Sequence, residues 1–101
     1  MTTNETREEI EQYLGQVPSW MDELAPQAQD HSWGMFRDVE LAETELSNRE
    51  KELVGLGAAA AMGCPYCVEF HTQAATLAGA SDAQVTEAIT MASNTRYFST
   101  V

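Results

Sequence analysis

Hydrophobic positions recur along this chain with helical spacing, and no segment alternates apolar and polar residues between hairpin turns. Ile10, Tyr13, Leu14 and Val17 repeat at i, i+3, i+4 and i+7. They predict an amphipathic helix over 4–16, with Thr6 and Glu9 as a Thr-x-x-Glu cap and Pro18 as its stop. Ser19, with Asp22 three residues on, is placed to cap a short helix over 20–24. Pro26 then suits the first turn of a helix over 26–41, whose apolar members include Ala28, Trp33, Phe36, Val39 and Leu41. An acidic connection follows over 42–46.

Ser47-Asn48-Arg49-Glu50 is a capping box, and it opens a helix carrying Glu52 that ends at Gly63. Gly55 and Gly57 lie inside that helix beside four alanines. Each glycine costs about 1 kcal/mol against alanine in a helix interior, so the pair implies that another helix packs very close. Cys64 is the expected N-cap of the next helix, since Pro65 suits a first helical residue. This helix runs to about Ala78 and closes on Gly79. Ser81-Asp82-Ala83-Gln84 is a second capping box, opening a last helix with Val85, Ala88, Ile89 and Ala92 on one face. The tail over 97–101 is apolar enough to dock. The expected fold is all-α, five to six helices in a single domain over 1–101.

Charge changes the picture. Five basic against 16 acidic side chains give a net charge of −11, so no basic footprint for nucleic acid exists and an anionic membrane would repel the surface. Only Lys51 represents lysine, and such lysine-poor acidity suggests a halophilic source. Of the acids, 13 lie in residues 1–52, while 53–101 carry only Glu69, Asp82, Glu87 and Arg96. A half so poor in charge is expected to be covered by contacts with further copies of the chain. The sequence has no run of 18 apolar residues and no basic, apolar leader, so neither a membrane span nor a signal peptide is expected, and the expected location is the cytoplasm.

The chemistry gathers at Cys64 and Cys67, the two cysteines of the chain. A Cys-x-x-Cys with no other cysteine and no secretory leader points to redox chemistry or metal binding rather than a structural staple. Cys67 falls near the third helical position, where free backbone N–H groups favour a thiolate. His71 is one turn along and can relay a proton; Glu52, if it reaches, can hold the imidazole or act as the base. A zinc site from Cys64, Cys67 and His71 is the alternative, with Glu52, His31 or a partner subunit as the fourth ligand. Two inert, buried cysteines are the structural alternative. Haem attachment needs histidine where Val68 stands, and a thioredoxin-like site needs a βαβ context that is missing. His31, Trp20, Trp33 and Phe36 read as core or interface, and the five methionines as packing.

Glu52, an eleven-residue gap, and then Cys64-Pro65-Tyr66-Cys67-Val68-Glu69-Phe70-His71 resemble the AhpD-like alkylhydroperoxidases of the carboxymuconolactone decarboxylase family, as do Ala78-Gly79-Ala80-Ser81 and the helix after them. The resemblance spans about 47–98. It implies an all-helical AhpD-like domain assembling as a homo-oligomer, a trimer or hexamer, with its site near subunit contacts. It also implies Cys67 as the attacking thiol, Cys64 as the thiol that closes the disulfide, and Glu52 and His71 as a proton relay. Better-studied members carry histidine where this chain has Tyr66, a poor base near neutrality with a reference pKa of about 10, which leaves Tyr66 an auxiliary role. The expected function is a thiol-dependent peroxidase that needs a peroxide substrate, an external dithiol or thiol-protein reductant, and no bound cofactor. The alternatives are an oligomeric redox sensor or metal-binding protein, and a decarboxylase of the same superfamily. True decarboxylases lack the redox pair, and no basic cluster for a dicarboxylate is present.

Overall fold

The structure, a computed structural model, describes residues 3–101. It is all-helical, with five α-helices, a 3₁₀ turn and a π-helical segment, and the described residues contain no strand. None of the helices is long and apolar enough to cross a membrane. The chain divides into two compact units, one ending at Leu41 and the other beginning at Ala42.

In the first unit, α1 (Thr3–Leu14) ends where Gly15 takes a left-handed φ of 80°. The helix starts earlier than its sequence signature suggests, so Thr6 is not a cap. It lies inside α1, fully buried, and its hydroxyl donates to Asp30 Oδ1 on α2. A Thr-x-x-Glu pattern reads as a cap when the threonine has no tertiary partner; here a partner 24 residues away takes the hydroxyl. A 3₁₀ turn, Ser19–Glu23, follows with Pro18 in the cap position and no side-chain cap bond, so Ser19 does not cap it.

Helix α2 (Pro26–Met35) continues into a π-helical segment, Phe36–Leu41. The expected helix over 26–41 therefore has the right extent, but its last six residues follow a wider coil, which apolar spacing over so short a span does not separate from an α-turn. Ile10, Met21 and Trp33 form the core, with Leu14, Val17, Leu24, Phe36 and Leu41 packed against it. Trp20 and His31 are exposed on the chain, unlike Trp33 and Phe36. Of the methionines, Met21 is packed while Met35, Met62 and Met91 are more than half exposed, and Met1 lies outside the described residues. The expectation of packing thus fails within the chain for those three.

One polar cluster ties α1 to the end of α2. Glu9 Oε1 accepts from Trp33 Nε1 at 2.6 Å and from Arg37 Nη1 at 2.7 Å. The Arg37 guanidinium, then the Trp33 indole, hold the Glu9 carboxyl below its ordinary range. A depressed carboxylate adds stability above its unfolded pKa and loses it as pH falls through the folded value. Tryptophan fluorescence of a Trp20→Phe protein, in which Trp33 reports alone, is expected to change with a midpoint below the ordinary glutamate value of about 4.3. A midpoint at or above that value would contradict the arrangement.

In the second unit, α3 (Asn48–Met62) is the central element; α4 (Pro65–Leu77) and α5 (Asp82–Ser99) both pack on it more extensively than on each other. Its capping box is formed, with Glu50 N donating to Ser47 Oγ at 3.1 Å and Ser47 N to Glu50 Oε1 at 2.9 Å. Ser81 and Gln84 repeat the arrangement at α5, at 3.1 and 3.0 Å. Gly63 ends α3 with φ 70°, a left-handed cap that suits glycine.

The core here is built from small residues, with Leu56, Ala59, Ala75, Ala80 and Ala92 buried. Small side chains let the helices approach closely, as the glycines in α3 suggest. Arg96 on α5 donates to the Ala61 carbonyl at 3.1 Å, near the negative end of α3. Tyr97 and Phe98 belong to α5 rather than to a docked tail; both are more than 60% exposed, with their rings 5.1 Å apart edge to face. Helical hydrogen bonding carries the chain through Ser99, so the apolar tail is the last turn of a helix.

Candidate functional site

The second unit brings together every residue that the sequence singles out for chemistry except His31. Gly63 turns the chain at the end of α3, and Cys64 caps α4 in an extended conformation. Pro65, with no N–H to lose, is the first helical residue. Cys64 and Cys67 are joined in a disulfide, with Cα atoms 5.3 Å apart. Cys67 is the third residue of α4, and its backbone N–H donates to Cys64 Sγ at 3.2 Å. The sulfur that fills the cap position, usually held by a serine or aspartate oxygen, is therefore the first of the motif. Sequence position alone points to Cys67 at the helix start; the cap bond directs that stabilisation to Cys64.

His71 follows Cys67 by four residues on α4, one helical turn on the same face. Its Nδ1 lies 2.7 Å from Glu52 Oε1 on α3. Glu52 is buried, at 1% exposure, and the His71 side chain is 16% exposed. The second carboxylate oxygen, Oε2, is buried without a hydrogen-bond partner. A carboxylate accepts in such a contact when the imidazole carries its proton on Nδ1, and the assignment of donor and acceptor follows the tautomer of the ring. The ring also meets Phe70 edge on, with centroids 5.6 Å apart. α3 and α4 pack closely enough to bring Glu52 to the ring.

Gly55 explains how. A Cβ built at Gly55 would lie 2.6 Å from His71 Cε1, 2.8 Å from Nδ1 and 2.9 Å from Nε2. The imidazole occupies the space that a side chain at 55 would fill. Gly57 faces elsewhere, with a Cβ there meeting the Ala88 carbonyl oxygen at an ordinary 3.7 Å. Two glycines in one alanine-rich helix signal close approach. Only coordinates show that one approach is by the site histidine and the other by α5.

Tyr66, at the second position of α4, is 56% exposed. In this oxidised state the two sulfurs of the zinc alternative, Cys64 and Cys67, are bonded to each other, and the third residue, His71, meets Glu52 through Nδ1. His31 sits on α2 in the first unit, exposed to solvent.

Fold and site together define an all-helical protein with a Cys-x-x-Cys disulfide on the helix that also carries the imidazole of a buried carboxylate–imidazole contact. Residues 23–101 match the sequence model of the carboxymuconolactone decarboxylase family, and the chain belongs to that family. Over 67 residues it is 36% identical to a Paracoccus denitrificans protein described as "Uncharacterized protein 4 in cox locus". That match takes in 66% of this chain and 60% of the relative, so the chain spans less than two thirds of the relative's length. No solved structure matches the chain.

Proposed function

We propose that the protein is an AhpD-like, thiol-dependent peroxidase. The observation that carries the reading is the Cys64–Cys67 disulfide at the start of α4, one turn from an imidazole whose Nδ1 is engaged by the buried Glu52. In the reduced protein, the Cys67 thiolate attacks one peroxide oxygen; the O–O bond breaks, and the other oxygen leaves as alcohol or water once it takes a proton. Cys67 becomes a sulfenic acid. The Cys64 thiol then displaces its hydroxyl as water, forming the disulfide. His71 Nε2 moves protons at the sulfur, and Glu52 keeps Nδ1 protonated and stabilises the imidazolium when it forms.

An external dithiol completes the cycle by reducing the disulfide. Thiol attack favours the sulfur whose departing partner is the better leaving thiolate. The hydrogen bond from Cys67 N–H to Cys64 Sγ supports Cys64 as that leaving group, so the reductant is linked transiently to Cys67. No step needs a bound cofactor. The direct test is peroxide consumption by the pre-reduced protein with a dithiol donor, and absence of turnover would remove the reading.

We also assign the working form to a homo-oligomer, trimer or hexamer. Between α3 and α5 runs an open groove of about 440 Å³. It is lined by Leu53, Val54, Gly57, Ala58, Ala61 and Met91 among others, and its lining includes no charged side chain. Val54 and Met91 are more than half exposed on the single chain. Light scattering after size exclusion is expected to read three or six times the 11.1 kDa chain mass; a monomer at micromolar concentration would contradict the assignment.

A further inference from the structure

The site depends on a residue with no functional group. We infer that Gly55 is a positioning residue: the absence of a side chain there forms the niche in α3 that holds the His71 ring against Glu52. All three of its nearest atoms are ring atoms of His71, at 2.6, 2.8 and 2.9 Å from where a Cβ would stand. Real Cβ atoms do not tolerate such separations, so any side chain at 55 displaces the imidazole. The backbone at 55 is ordinary α-helix with no positive φ, which means that conformational freedom is not what glycine supplies. Helix propensity argues against it, since alanine is the better helix former. What glycine supplies is room.

The displaced group would be a side-chain ring, which can rotate away, rather than backbone. The cost of a methyl group at 55 therefore falls on the Glu52–His71 contact and not on the helix. Gly57 is the built-in control. It lies two residues along α3, carries the same propensity penalty, and has only an ordinary 3.7 Å contact waiting for a Cβ.

This inference rests on the peroxidase reading for its functional consequence but not for its geometry, and the experiment separates the two. In a His31→Gln background, His71 is the remaining histidine and its ring nitrogens can be followed by ¹⁵N NMR. Gly57→Ala is expected to keep the ring-nitrogen pattern of the parent, and Gly55→Ala to change it. In the peroxide assay, Gly55→Ala is expected to lower kcat at least tenfold with KM little changed, because the ring no longer sits where it moves the proton. An unaltered ring pattern in Gly55→Ala would overturn the inference.

A double-mutant cycle covers the case in which Gly55→Ala folds poorly. In a His71→Ala background the niche is empty, so Gly55→Ala is expected to leave the thermal midpoint unchanged or raised. An equal loss of stability in both backgrounds would show that Gly55 serves backbone packing and not the imidazole. If wild-type protein fails to consume peroxide while the ring pattern responds as described, the peroxidase reading falls and the niche stands.

Discussion

Cys67→Ser is expected to reduce peroxide consumption to the rate of buffer with donor alone. A serine hydroxyl at the third position of α4 is not ionised near neutrality and cannot accept an oxygen from a peroxide. Cys64→Ser is expected to behave differently. Cys67 can still be oxidised once, so about one equivalent of peroxide is consumed before the sulfenic acid, with no second thiol beside it, stalls. The asymmetry is what matters, because it assigns attack to Cys67 and resolution to Cys64.

Neither substitution should unfold the protein. The bridge spans a sequence separation of 3, and a loop so short contributes less by chain entropy than the roughly 3 kcal/mol of a 15-residue loop. The serine introduced at 64 is itself a good N-cap, able to accept the Cys67 N–H that the sulfur accepts now. Circular dichroism therefore provides the check that lost turnover is lost chemistry. If Cys64→Ser lost the first equivalent and Cys67→Ser kept it, the roles of the two sulfurs would be reversed.

His71→Ala has the second large effect, and it acts on two quantities. Turnover is expected to fall by roughly 10²–10⁴-fold, the usual contribution of a positioned general acid–base group. Stability should fall as well, because Glu52 is left buried without its partner. Leaving a buried acceptor without its donor costs on the order of 1–3 kcal/mol, and more when the acceptor is charged. Urea denaturation measures that loss directly.

Glu52→Gln separates the two effects. The amide keeps the shape, and its oxygen can accept from Nδ1–H, so the stability cost should be smaller than for His71→Ala. The charge that stabilises an imidazolium is gone, however, and kcat is expected to drop. In the proposed relay Glu52 acts through His71, so the double substitution should lose little more turnover than His71→Ala alone. Additive losses would mean that Glu52 acts on the sulfur or the peroxide by itself.

The parts of this architecture that sequence makes legible are those decided within a few residues. Ser47 with Glu50, Ser81 with Gln84, Gly63 closing α3, and Cys64-Pro65 opening α4 are local hydrogen-bond and backbone arrangements, and each forms as its spacing suggests. Thr6 has the same local signature and a different fate, because Asp30 on α2 reaches it. The exposed Met35, Met62 and Met91 show the same boundary from the other side, since an apolar side chain does not announce what covers it.

The site divides along that boundary too. Cys67 and His71 are related by spacing on one helix, so their common face can be read directly. The Glu52–His71 contact joins two helices across 19 residues; the resemblance to a known family suggests it, and residue spacing does not. Gly55 lies between these cases. A glycine in an alanine-rich helix signals that something comes close, but that the imidazole is what comes close is a fact of the crossing between α3 and α4.

In the proposed reaction, peroxide drives the dithiol at 64 and 67 into the disulfide seen in the structure. The most direct measurement is a single turnover: reduce the protein, remove the reductant, add one equivalent of peroxide, and follow the intact mass and free thiols in time. Both thiols are expected to disappear together with a loss of about 2 Da, much faster than in a peroxide-free control, and Cys67→Ser is expected to abolish the change. Thiols that persist as long as in the control would rule out peroxide as the oxidant of this pair, whatever the family's other members do.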